Sequence, residues 1–105
     1  MLDKTIVRQI AQEYTHEVCR VLDPKEIILF GSYVNGIPHK YSDIDIAVVF
    51  NGFNGDWYDA RIDLWRISES VSLDIEPHLL DITDDRSGFT DHVLKTGNII
   101  YREEV

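Results

Sequence analysis

The stretch FGSYVNGIPHKYSDIDIAVVF, residues 30–50, decides how the chain is to be read. An apolar run, Ile27-Ile28-Leu29-Phe30, stops at Gly31-Ser32, crosses a polar loop with Gly36, Pro38 and Ser42, and resumes at Asp43 with a period of two. The first run predicts a short strand buried on both faces, and so central in its sheet. In the second, Ile44, Ile46, Val48 and Phe50 share one face while Asp43 and Asp45 begin the other, because strand side chains alternate. Gly31 suits a sharp turn and leaves room for a ligand to approach the backbone. Ser32 adds a hydroxyl, and the amides after it suit a phosphate group. Two carboxylates on one strand face suit Mg²⁺, a hard cation that takes oxygen ligands and often completes its shell with substrate phosphates.

On the N-terminal side, Ile6/Val7, Ile10/Ala11, Tyr14, Val18 and Val21/Leu22 recur at helical spacing. They predict a helix over 3–22, with Asp3 as cap and Asp23-Pro24 as stop. On the C-terminal side, residues 56–70 read as a helix whose stripe of Trp57/Tyr58, Ile62 and Trp65 faces the core, with exposure of Trp57, Tyr58 or Trp65 at a partner surface as the alternative. Leu73 to Leu80 reads as a third strand, with Leu73, Ile75 and Leu79 on one side and Asp74, Glu76 and His78 on the other. Residues 87–96 read as a short helix closed by Gly97 in a left-handed conformation. Asn98 to Tyr101 reads as a last strand. This order predicts one domain over residues 1–105, of α/β (α+β) class, with a small mixed β-sheet, helices packed on one face and carboxylates on the other.

The chain has 105 residues and a formal net charge of -9. Such acidity argues against direct binding of long nucleic acid, which needs a basic surface. A nucleotide remains compatible if metal ions supply the positive charge, and a basic protein partner is also compatible. The single cysteine, Cys19, permits no intrachain disulfide and is expected to be packed in the first helix. The N-terminus lacks a signal-peptide core and no apolar run has transmembrane length, so a cytoplasmic protein with no membrane association is expected.

A third carboxylate on a neighbouring strand would complete a two-metal site for in-line displacement at a phosphate. Asp74 and Glu76 are both candidates. His78 shares their face and reads first as a partly exposed strand histidine, with contact to substrate or metal as the alternative. The acidic cluster Asp81, Asp84 and Asp85 reads as a solvated loop and helix start. Tyr33, beside Gly-Ser, is a candidate for stacking on a base.

Gly31-Ser32, ten residues, then Asp43-Ile44-Asp45 resembles the signature of the DNA polymerase β-like nucleotidyltransferase superfamily. The short chain and SDIDIAVVF resemble its minimal nucleotidyltransferase (MNT) branch. The resemblance implies that Gly31 and Ser32 bind nucleotide phosphates and that Asp43, Asp45 and a third carboxylate are catalytic and bind metal. Glu76 is preferred for the third place because IEPHLL resembles the corresponding strand, with Asp74 as the alternative. Where many relatives carry arginine after Gly-Ser, this chain has Tyr33-Val34-Asn35-Gly36, so that a phosphate-binding cation is either missing or supplied by Lys40. The resemblance further implies two Mg²⁺ ions, ATP as substrate, and pairing with a HEPN-domain toxin to which AMP is transferred on tyrosine. A contact-only antitoxin and a small-molecule nucleotidyltransferase are the alternatives.

Overall fold

The computed structural model describes residues 2–38 and 42–104. Among them, helices and strands follow the order α1 (Lys4–Val21), β1 (Glu26–Phe30), α2 (Ser32–Asn35), β2 (Ile44–Phe50), α3 (Trp57–Val71), β3 (Ile75–Asp81), α4 (Phe89–Thr96) and β4 (Asn98–Arg102). The four strands form one mixed sheet in the order β3-β2-β1-β4. β1 pairs antiparallel with β2 and β4, whereas β2 and β3 are parallel. A parallel pair needs a long crossover, and α3 supplies it. The expected α+β class and mixed sheet are therefore present, with β1 in the interior as its continuous apolar run requires. No helix among the described residues is long and apolar enough to cross a membrane.

Strand alternation divides the core in two. Ile27 and Leu29 of β1, Ile44, Ile46 and Val48 of β2 and Ile75 of β3 pack with Val7, Ala11, Tyr14 and Val18 of α1 and Leu64 of α3. Residues of the opposite parity, Ile28, Ala47 and Val49, pack against Val93 of α4. The main helical layer is on one face, as expected, while α4 covers part of the other. The uncovered part of that second face begins at the N-terminal end of β2. Each fully buried Val, Leu or Ile contributes about 1.5–3 kcal/mol, so both faces matter to stability.

Caps explain the helix starts. Asp3 accepts from Thr5 N–H at 2.7 Å, and Asp56 accepts from Asp59 N–H at 3.0 Å. Asp85 accepts from Thr90 N–H and Asp91 N–H, both at 2.9 Å, at the start of α4. Asp81 accepts from the Gly52, Phe53 and Thr83 amides at 2.7–2.9 Å and from the Thr83 hydroxyl at 2.7 Å. It clasps the loop after β2 to the end of β3. The acidic cluster is thus built from caps and clasps rather than being merely solvated.

Four expectations need correction. α3 turns Ala60, Leu64 and Ser68 inward, leaving Trp57, Tyr58 and Trp65 exposed. Small residues at 60 and 68 let α3 lie close against its neighbours, and the Tyr14 hydroxyl donates to Leu64 O at 3.0 Å across α1 and α3. Leu73 is 86% exposed because it sits in the turn before β3, outside the strand's alternation. Cys19 is exposed on α1. Gly97 has φ -82° and ψ 170°, an extended conformation. Glycine is needed there for space, since a Cβ would fall on Ile28 Cγ2 and lie 2.9 Å from Val93 O.

Candidate active site

The polar site lies where β1 ends and β2 begins. In the register, Asp45 of β2 stands beside Glu76 of the parallel strand β3 and opposite Phe30 of antiparallel β1. Ile44 N–H donates to Asp74 O at 2.7 Å, pinning the entry of β2 to the turn before β3. This single bond sets which carboxylates meet. Asp45 and Glu76 become direct cross-strand neighbours, and His78, two residues further on, joins them on the same face.

Ligand atoms of Asp45, Glu76 and His78 all lie within 4.8 Å of one another. His78 Nε2 is 3.1 Å from Asp45 Oδ1. Burial and then the neighbouring Asp45 charge hold the Glu76 carboxyl above its ordinary range, with Asp43 adding to the effect and His78 opposing it. Asp43 is an exposed residue immediately before β2, close enough for its charge to be felt at Glu76. Asp74 lies in the exposed turn, outside the cluster of three.

Gly31 closes the other side of this site. Its φ of 82° and ψ of -153° lie in a region essentially reserved for glycine. A Cβ there would fall on Asp45 Oδ2 and stand 3.1 Å from Asp45 Cγ. The sequence accounts for Gly31 by a sharp turn and ligand access; the structure adds that the Asp45 carboxylate occupies the space a side chain would fill. Gly31 O then accepts from Val34 N–H at 3.0 Å and Asn35 N–H at 2.9 Å, so the strand passes straight into the single turn of α2. Ser32 is the first residue of that turn and is partly exposed.

Two sequence expectations near Gly-Ser change. Tyr33 is buried at 8% exposure and its hydroxyl accepts from Leu2 N–H at 3.2 Å, so it serves the core and is not placed to stack on a base. Asn35, in the segment after Gly-Ser, donates through Nδ2 to Thr96 O at 3.1 Å and ties α2 to α4. Lys40, the substitute cation, lies outside the described residues. His78 gained no firm role from sequence, although strand alternation already placed it beside Glu76. Phe30 and Phe89 were not anticipated either. Their rings pack on each other and beside His78, with centroids 4.9 Å and 6.4 Å from the imidazole.

A cavity of about 280 Å³, lined in part by Phe30, Gly31, Phe89 and His92, adjoins the site. A larger one of about 630 Å³ lies at the other end of β2, among Phe50, Phe53 and Asp56, and is lined by none of Asp43, Asp45, Asp74 and Glu76. The donor set fits a divalent cation: two adjacent carboxylates with repelling charges, a third nearby, and an imidazole facing the same point.

Comparison with known proteins agrees with this geometry. The family model of polymerase β nucleotidyltransferases matches residues 8–104. A protein from Sulfolobus solfataricus, proposed to be a nucleotidyltransferase, is similar in structure with a TM-score of 0.68 and 25% identity, covering 95% of this chain and 84% of that one. A toxin–antitoxin structure with AMP-PNP gives a TM-score of 0.62 and 29% identity, covering 89% of this chain and 74% of that one. The toxin–antitoxin MntA-HepT gives 0.58 and 26%, with 90% and 73% covered. No curated protein sequence matches the chain. The family match over nearly the whole chain, together with the Gly-Ser turn and the cross-strand carboxylates, places this protein in the polymerase β nucleotidyltransferase family.

Proposed function

We propose that this chain is a Mg²⁺-dependent enzyme that transfers AMP from ATP to a hydroxyl, and that the acceptor is a tyrosine of a HEPN-domain toxin. The observation that carries the proposal is the pairing of Asp45 with Glu76 across β2 and β3, one residue pair from the Gly-Ser turn. Asp43, Asp45 and Glu76 would hold the metal, which supplies charge neutralisation for the triphosphate and acidifies the attacking hydroxyl. Gly31 and Ser32 receive the phosphates. The acceptor oxygen forms a bond to the α-phosphorus, the bond from that phosphorus to the bridging oxygen breaks, and pyrophosphate leaves. The hydroxyl proton passes to a Glu76 carboxylate oxygen.

An adenine nucleotide is favoured because one structural neighbour is a toxin–antitoxin complex with AMP-PNP, an ATP analogue. A protein acceptor is favoured because toxin–antitoxin pairs recur among the neighbours. The net charge of -9 suits a basic partner. The test is intact-protein mass spectrometry of a HEPN-domain protein co-expressed with this chain, after incubation with ATP and Mg²⁺. The expected result is a gain of AMP mass on tyrosine that disappears with the Asp43→Asn/Asp45→Asn variant. A stable inhibitory complex with no mass gain would instead establish an antitoxin that acts by contact alone.

A further inference from the structure

We propose that His78 is a nitrogen ligand of the cation held by Asp45 and Glu76, so that the site accepts first-row transition ions as well as Mg²⁺. The inference rests on the reading of Asp45 and Glu76 as metal ligands and adds the identity of a further donor. Three features of the structure support it.

First, the position is dictated by the sheet. Glu76 and His78 are two residues apart on β3, so both side chains leave the same face. The register partner of His78 is Ala47, whose small side chain leaves the imidazole room to lean toward Asp45. Second, the distances suit shared coordination. Metal bonds of about 2.1 Å meeting near a right angle separate adjacent ligand atoms by about 3 Å; His78 Nε2 and Asp45 Oδ1 are 3.1 Å apart. Third, the ring is held before any ion arrives. Phe30 stands edge-on to it with centroids 4.9 Å apart, Phe89 packs against Phe30 and lies 6.4 Å from the imidazole, and the side chain is only 28% exposed. A histidine that served only solubility would not be packed against an aromatic pair with one nitrogen aimed at a carboxylate.

An imidazole changes what a carboxylate site prefers. Oxygen donors suit Mg²⁺, whereas imidazole strengthens binding of ions such as Co²⁺ far more than that of Mg²⁺. With the ion bound, Nε2 presents its lone pair to the ion and Nδ1 keeps the proton. Without an ion, the same nitrogen donates to Asp45 and keeps that carboxylate facing the site.

The test uses the whole chain and metals alone. Pulsed EPR of bound Mn²⁺ reads nitrogen coupling directly, and calorimetry compares Co²⁺ with Mg²⁺ for wild type, His78→Ala, His78→Gln and Asp45→Asn. The expected result is nitrogen coupling in wild type that both His78 variants lose. Co²⁺ affinity should fall about tenfold or more in them, while Mg²⁺ affinity changes by less than about threefold. Circular dichroism of His78→Gln, which keeps a polar side chain of similar reach, confirms that the fold is intact. Mn²⁺ binding that requires Asp45 but shows no nitrogen coupling would overturn the role of His78 and leave the carboxylate site standing. Failure of wild type to bind any of these ions would overturn the carboxylate site itself, and this proposal with it.

Discussion

Replacing Gly31 with alanine tests the joint between fold and site. The φ and ψ of 82° and -153° are almost closed to any side chain, and holding one there costs about 1–3 kcal/mol. The added Cβ also lands on the Asp45 carboxylate, with Asp45 Cβ itself only 3.3 Å away. Asp45 Cβ is fixed by a strand paired on both sides, so the carboxylate must swing out or the turn must shift, an overpacking cost of about 1–3 kcal/mol. Reduced conformational freedom of the unfolded chain works the other way and offsets no more than about 1 kcal/mol of this. The net expectation is a loss of about 2–4 kcal/mol, or roughly 10–25 °C in Tm for a domain of this size. The protein should remain folded in the cold, since small domains have about 5–15 kcal/mol of stability. Urea denaturation measures the first effect and Mn²⁺ titration of the folded variant measures the second. Displacing Asp45 should weaken Mn²⁺ binding at least about tenfold, as loss of one charged ligand does. A variant within 0.5 kcal/mol of wild type, a margin typical of exposed sites, would refute the strain argument. A destabilised variant with unchanged Mn²⁺ affinity would refute the link between Gly31 and the carboxylate.

Other outcomes follow from the packing. Tyr14→Phe removes the buried bond to Leu64 O and should cost about 1 kcal/mol in urea denaturation, with activity unchanged. Leu64→Ala should cost about 2–5 kcal/mol, whereas Tyr58→Ala, on the exposed side of the same helix, should cost less than about 0.5 kcal/mol; the reverse order would restore the aromatic stripe to the core. Asp81→Asn should cost about 1–3 kcal/mol, because burial raises the Asp81 carboxyl but the Phe53, Gly52 and Thr83 hydrogen bonds outweigh it and hold the group well below its ordinary value. A carboxyl depressed in the folded state stabilises fully above its unfolded value of about 3.9 and loses that contribution as the pH falls through the folded value. The stability gap between wild type and Asp81→Asn should therefore be complete at pH 6 and narrow in strongly acid solution, a trend that acid–urea titration measures. Arg102→Ala strands the buried Glu26 carboxylate, now paired at 2.8 Å, and should cost about 1–3 kcal/mol because the arginine itself is exposed.

The sequence carried the order of elements, the interior position of β1 and the faces of β2 and β3, because period-two alternation and a continuous apolar run are local signals. It also carried the approach of Asp45 to the Gly-Ser turn. It left Asp74 and Glu76 open, since choosing between them needs the parallel β2–β3 register, which brings together residues about thirty positions apart, a separation no local pattern spans. The phase of α3 was misread because Trp57, Tyr58 and Trp65 dominate any hydrophobic count, while the inward face is built from small Ala60 and Ser68 around Leu64. Size of side chain was taken for depth. Tyr33 reads from sequence as a candidate base-stacking residue, yet its partner Leu2 is far away in sequence and becomes visible only in the fold, as does the Thr96 partner of Asn35. Gly97 shows the same limit: a glycine after a helix suggests a left-handed cap, but here the neighbouring Ile28 side chain requires it.

The most direct test of the central claim is calorimetric titration of a non-hydrolysable ATP analogue into this chain, with and without Mg²⁺, beside the Asp43→Asn/Asp45→Asn variant. The account predicts that the analogue binds wild type only when Mg²⁺ is present, and that the variant loses this binding while keeping its fold. Equal binding with and without Mg²⁺, or full Mg²⁺-dependent binding by the variant, would contradict the assignment of the β2–β3 carboxylates as the metal and nucleotide site.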